Sequence, residues 1–138
     1  MSLAHVSLPV SSLETSKSFY LETLKSLGYG IWRELDQCIG FGVKNKGPDF
    51  WIHGCSKTSK VVEDVKEAGD SKGDREKIHI AFNGNDPDDV RAFYEAALKA
   101  GGTCNSPPAD RSEIVKGYYA AFVLDPDGNK IECMSYQP

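Results

Sequence analysis

The 138-residue chain has no apolar run approaching the ~20 residues that a membrane-spanning helix needs, so no membrane partner is expected. Its first residues, Met-Ser-Leu-Ala-His, lack the basic and apolar regions of a signal peptide, and a cytoplasmic location is the default expectation. None of the four cysteines, Cys38, Cys55, Cys104 and Cys133, forms a Cys-x-x-Cys pair. That removes zinc ribbons and thioredoxin-type motifs and leaves reduced thiols in a reducing compartment. Basic residues are outnumbered, 16 Lys and Arg against 20 Asp and Glu, for a net charge of −4. A nucleic-acid surface would need a basic stripe, so no nucleic-acid partner is expected.

What is present is a repeat. His5-Val-Ser-Leu, Phe19-Tyr20 and Leu24-Lys25 return, at a constant offset of 74, as His79-Ile-Ala-Phe, Phe93-Tyr94 and Leu98-Lys99. A chain that repeats itself contains two similar supersecondary units. A histidine opening each unit makes His5 and His79 pseudo-symmetric candidates for a shared site. Apolar content of 40% and charged content of 26% fit one globular domain over 1–138.

His5 to Val10 alternates His5, Ser7 and Pro9 with Val6, Leu8 and Val10, the pattern of a strand with one buried face. Ser11 with Glu14 reads as a capping box opening a helix to about Leu27, where Gly28 stops it. Three β-like segments follow: Tyr29 to Leu35, Cys38 to Val43 and Phe50 to His53. Residues 45–49 form a turn by composition. Unit one covers about 1–56. A polar connection, about 54–77, is read as a solvated linker with a helical turn or two. Unit two, about 78–138, begins with Ile78 to Phe82. Asp86 caps its helix, Pro87 follows, and Gly101-Gly102 ends it. Strands are expected at Thr103–Ser106, 117–124 and 130–136, the last two joined by an Asp-Pro-Asp-Gly-Asn turn at 125–129. That turn lacks the spacing of a calcium loop. Each unit therefore reads βαβββ.

The layout and three motifs resemble the vicinal oxygen chelate superfamily, which spans glyoxalases, bleomycin-resistance proteins and extradiol dioxygenases. The motifs are the segment from His5 to Tyr20, His79-Ile-Ala-Phe82, and the segment from Tyr119 to Glu132. The resemblance covers nearly all of the chain outside the polar connection. It implies an α+β fold in which two βαβββ units form an eight-stranded, cup-shaped open barrel with the helices outside. It also implies metal ligands at His5, His79 and Glu132. The fourth family position falls near Trp51 and His53, neither of them a carboxylate, so this chain departs from a four-ligand pattern.

Two imidazoles and a carboxylate would hold a divalent ion, Fe, Mn, Ni or Zn, with positions open to a substrate bearing adjacent oxygens. A metal-dependent lyase, dioxygenase or transferase acting on a small molecule is thus implied. The alternative is a metal-free binding protein of the bleomycin-resistance kind. Glu132 is the candidate general base. His53 stands open as a fourth ligand, an acid/base partner or an edge residue. Taking Phe122 as the helix-packing residue turns Tyr119 and Ala121 inward, so Trp32, Trp51, Tyr119 and Ala121 are the expected pocket lining, with Tyr119 a further catalytic candidate. His5, His79 and Glu132 are expected to converge in one cavity, and family members of this size commonly form homodimers.

Overall fold

The computed structural model describes residues 3–54 and 77–137. The connection at 54–77 falls, apart from its ends, outside the described residues. Unit one runs β1 (Val6–Val10), α1 (Leu13–Leu24), a 3-10 turn (Lys25–Leu27), β2 (Tyr29–Glu34), β3 (Cys38–Val43) and β4 (Gly47–Gly54). Unit two repeats it as β5 (His79–Asn83), α2 (Pro87–Lys99), β6 (Thr103–Asp110), β7 (Tyr118–Leu124) and β8 (Lys130–Tyr136). Each unit makes one four-stranded mixed sheet, ordered β1-β4-β3-β2 and β5-β8-β7-β6. In each, the first strand lies parallel to the last, and the remaining pairs are antiparallel. The two sheets are separate ladders and do not close on one another. No helix among the described residues is long and apolar enough to cross a membrane.

The repeat extends to register. Ser7 pairs with Trp51 in sheet one, and Ala81 pairs with Glu132 in sheet two. Trp51 therefore occupies the position in unit one that Glu132 occupies in unit two. His53, opposite Pro9, matches Met134, opposite Asn83.

Local details depart from the sequence pattern in three places. The first helix is capped by Ser12, whose side chain accepts from the Thr15 backbone N–H, not by Ser11. Two adjacent serines offer the same chemistry, and the one with its hydroxyl over the third helical N–H takes the role. β4 begins at Gly47 and absorbs residues assigned to the turn. Here Gly42 lies against β4 so closely that a Cβ would stand 2.2 Å from the Gly47 carbonyl oxygen. β6 continues through Pro107 and Pro108 to Asp110. It is an edge strand whose register shifts between Ser106 and Ala109, the setting in which a strand tolerates proline.

The core lies between the sheets and the helices. Leu8, Val10, Phe19, Tyr20, Leu24, Phe41, Phe50 and Ile52 fill it in unit one, and Val90, Phe93, Ala97, Ala121, Val123, Ile131 and Cys133 in unit two. The units meet through aromatic contacts. Phe82 of β5 packs edge-on against Tyr29 and Phe50, with centroids 5.5 and 5.4 Å apart. A polar tie joins them too: the Tyr20 hydroxyl donates to Asp125, and the Ser11 N–H donates to Asp127 at 3.1 Å.

Cys133 is fully buried on the helix side of β8. Burial, with the charges of Asp89 and Glu132 adding to it, pushes its thiol up to about 12. Thiolate, the reactive form, is therefore scarce at pH 8. In a thiol-reagent assay at pH 8, Cys133 should stay unmodified in folded protein, while exposed Cys104 reacts. Equal rates for the two thiols would contradict the packing described.

Candidate functional site

β8 alternates strictly. Ile131, Cys133 and Ser135 face the helix and are buried, which turns Lys130, Glu132, Met134 and Tyr136 to the opposite face. On that face the Glu132 side chain is only 6% exposed, yet it is fully engaged. His79, entering β5, places Nε2 2.8 Å from Glu132 Oε2. The Tyr118 hydroxyl of β7 donates to the other oxygen, Oε1. The imidazole is half exposed, so the pair opens to solvent on the His79 side. The Tyr118 phenol is held well above its ordinary range, chiefly by burial, then by its bond to Glu132 and that carboxylate's charge, with Arg111 opposing. It therefore stays protonated at neutral pH and acts as a donor. Phe122 is the cross-strand partner of Glu132, and its ring lies 5.9 Å from the His79 ring.

The face assignment of β7 is the reverse of the sequence expectation. Tyr119 and Ala121 do share a face, but it is the helix face. Ala121 is fully buried in the core, and the Tyr119 hydroxyl accepts from Arg91 of α2 at 3.1 Å. Phe122 faces away from the helix. The reason is volume: α2 brings Val90, Phe93 and Ala97 against the strand, and the small Ala121 and Val123 fit beneath them. Tyr119 and Ala121 are therefore packing residues, and Tyr118 and Phe122 take the inner positions. A signal was available. Counting back across the 125–129 turn from the pair Leu124–Lys130 sets Phe122 opposite Glu132.

His5 is exposed just before β1 and does not join His79 and Glu132. It lines a cavity of about 250 Å³ at the seam of the units, with Tyr29, Asp49, Ile80 and Phe82. There the Tyr29 hydroxyl donates to Asp49 at 3.0 Å. No hydrogen bond of the His5 side chain occurs among the described residues. His53 meets Ser7 across β1 and β4, Nδ1 to Oγ 2.7 Å. Trp51 lies flat across β3, where a Cβ on Gly40 would come within 2.8 Å of three indole atoms. Trp32 stands 45% exposed at the bulge of edge strand β2, apart from this group.

His79 and Glu132 suit a metal as two of its donors. Ligand atoms at ~2.0–2.2 Å from one ion lie about 3 Å apart, and Nε2 and Oε2 already have that spacing. Tyr118, by holding Oε1, fixes the carboxylate so that Oε2, the oxygen facing His79, is the one turned toward such an ion. Among the described residues of one chain, no three His, Cys, Asp or Glu side chains are grouped to hold an ion. The expected convergence of His5 with the other two inside one chain is not found. Strand parity predicts the side a residue faces, but not the distance between two sheets that share no ladder.

Comparison with known proteins bears on this arrangement. The family model for the glyoxalase/bleomycin resistance protein/dioxygenase superfamily matches residues 2–133. A glyoxalase/bleomycin resistance protein from Albidiferax ferrireducens T118 has 28% identity and a TM-score of 0.72, with 96% of this chain and 97% of that one covered. A family enzyme from Burkholderia phytofirmans PsJN has 16% identity and a TM-score of 0.71, over 99% and 100% of the two chains. A lactoylglutathione lyase from Agrobacterium tumefaciens has 16% identity and a TM-score of 0.65, over 97% and 92%. These last two are likenesses of fold. No curated protein matches the chain in sequence.

Proposed function

Because the chain belongs to the glyoxalase/bleomycin resistance protein/dioxygenase superfamily, we propose that it is a small metal-dependent enzyme acting on a small molecule with adjacent oxygens. His79 and Glu132 of one chain would hold the ion, and His5 of a second chain would complete the set in a homodimer. The observation that carries this reading is the His79–Glu132 pair, with one carboxylate oxygen tied by Tyr118 and the imidazole open to solvent. The exposure of His5, the pseudo-symmetric partner of His79, supports its service to another chain. A bound divalent ion would supply Lewis acidity to the substrate oxygens. Without an ion, Glu132 would instead serve as a general base at Oε2, while Tyr118 keeps Oε1 in place. His53 and Trp51 would belong to the substrate wall supplied by sheet one.

The metal-free alternative, a binding protein for a planar small molecule, draws support from the lack of a three-donor group among the described residues of one chain. One experiment separates the two. Metal content and sedimentation are measured on protein purified without chelator. The expected result is a dimer with about one ion per chain, and affinity reduced more than about a hundredfold in His79→Ala, Glu132→Ala and His5→Ala. A metal-free dimer that gains no ion on titration with Mn, Fe, Ni or Zn would sink the enzyme reading. An ion retained in His5→Ala would remove His5 from the set.

A further inference from the structure

Two cations gather on Phe122, and among the described residues neither has a carboxylate partner. The Arg111 guanidinium carbon lies 5.1 Å from the Phe122 ring centroid, and Lys130 Nζ lies 5.5 Å from the same centroid. The ion pairs among the described residues use Lys17, Arg91 and His79, not these two. Arg111 gives one terminal amino group to Ser106 Oγ at 2.6 Å, while its Nε is buried with no hydrogen-bond partner among the described residues. A buried donor without an acceptor is costly, so the protein's own acceptors leave the Arg111 side chain only partly used. Both backbones are anchored. The Arg111 N–H donates to the Tyr118 carbonyl at 2.7 Å, and the Lys130 N–H donates to the Ile78 carbonyl at 2.9 Å. Phe122, the ring both cations gather on, is the cross-strand partner of Glu132.

The geometry points to an oxyanion subsite: Arg111 and Lys130 hold a carboxylate or phosphate group of the small molecule whose reacting part meets His79 and Glu132, with Phe122 beneath its carbon skeleton. The planar guanidinium fork matches two oxygens of such a group. Two positive charges also offset the repulsion that Glu132 would exert on an anionic ligand. The substrate class is thereby narrowed to anionic compounds. This rests on the metal-site reading for the position of the reacting end, but not for the binding of the anion itself.

The test is calorimetric titration of the full chain with phenylacetate, phenyl phosphate and the neutral 2-phenylethanol. The Arg Nε–H signals of ¹⁵N-labelled protein are followed in parallel. At least one anion should bind at least about tenfold more tightly than the alcohol, and the Arg111 Nε–H signal should move. The anion that wins identifies the group as carboxylate or phosphate. Arg111→Gln and Lys130→Gln should each erase most of that preference. Lys130→Gln keeps the test decisive if the arginine variant fails to fold. Equal affinity for anion and alcohol, no binding of either anion, or a preference unchanged in a folded variant would overturn the subsite. Metal content of the same samples separates the two readings. Ion without anion preference removes the subsite alone, and anion preference without ion removes the metal reading alone.

Discussion

Asp125→Ala should lower the free energy of unfolding by about 3 kcal/mol, as read by urea denaturation. The carboxylate is only 4% exposed and serves four donors. It accepts the Tyr20 hydroxyl, the Asp127 N–H at 2.9 Å, the Asn129 N–H at 2.8 Å and the Asn129 amide at 3.0 Å. Alanine leaves the Tyr20 and Asn129 donors buried with no acceptor, each costing about 1–3 kcal/mol. Because Tyr20 belongs to α1 and Asp125 to the turn between β7 and β8, the loss falls on the seam between units. A loss under 1 kcal/mol would show that the tie contributes little. The same pair sets an alkaline limit. Burial first, then the charge and hydrogen bond of Asp125, then Asp127, raise the Tyr20 phenol far above its ordinary value. Its stabilising contribution is complete below about pH 10. Above that, unfolded chains release the proton while folded chains keep it, so stability falls as pH rises. Burial leads the causes, so the variant should keep part of this alkaline sensitivity.

Phe50→Ala should cost about 4 kcal/mol and should do so cooperatively across both units. Phe50 is fully buried, with ring centroids 4.8 Å from Tyr20, 5.4 Å from Phe82 and 5.9 Å from Phe41. Truncation opens a cavity among three aromatic rings that cannot easily close, because two of them sit on strands and one is tied to Asp125. Phe82 comes from unit two, so both units should lose stability in one transition. Thermal unfolding that splits into two steps, with unit two unaffected, would contradict this account.

The fold was legible because its signals are local and occur twice. The 74-residue offset that links His5 to His79 also links Ser7 to Ala81, so the repeat predicted the elements of both units, while their partners Trp51 and Glu132, 81 residues apart, are matched by strand register. The helix of unit two followed from Asp86, Pro87 and Gly101, whose backbone requirements are met within a few residues. Boundaries shifted where two residues offered equal chemistry, as at Ser11 and Ser12, or where an edge strand accepted prolines at β6.

The site was legible only in part. Glu132 faces away from the helix between Ile131 and Cys133, as alternation requires, and His79 meets it because β5 and β8 are parallel neighbours. The orientation of β7 was not readable from alternation, since Tyr119–Ala121 and Tyr118–Phe122 are both plausible inner faces. The hairpin register from Leu124–Lys130, which sets Phe122 opposite Glu132, and the packing of Val90, Phe93 and Ala97 of α2 over Ala121 and Val123 put Tyr118 and Phe122 on the inner face. The position of His5 relative to the pair was likewise beyond the sequence. Periodicity, capping and turn chemistry act over a few residues and were determined by the sequence itself. The distance between two sheets, the gathering of Arg111 and Lys130 on Phe122, and the Tyr20–Asp125 tie across the seam depend on how whole layers pack, and only the tertiary structure decided them.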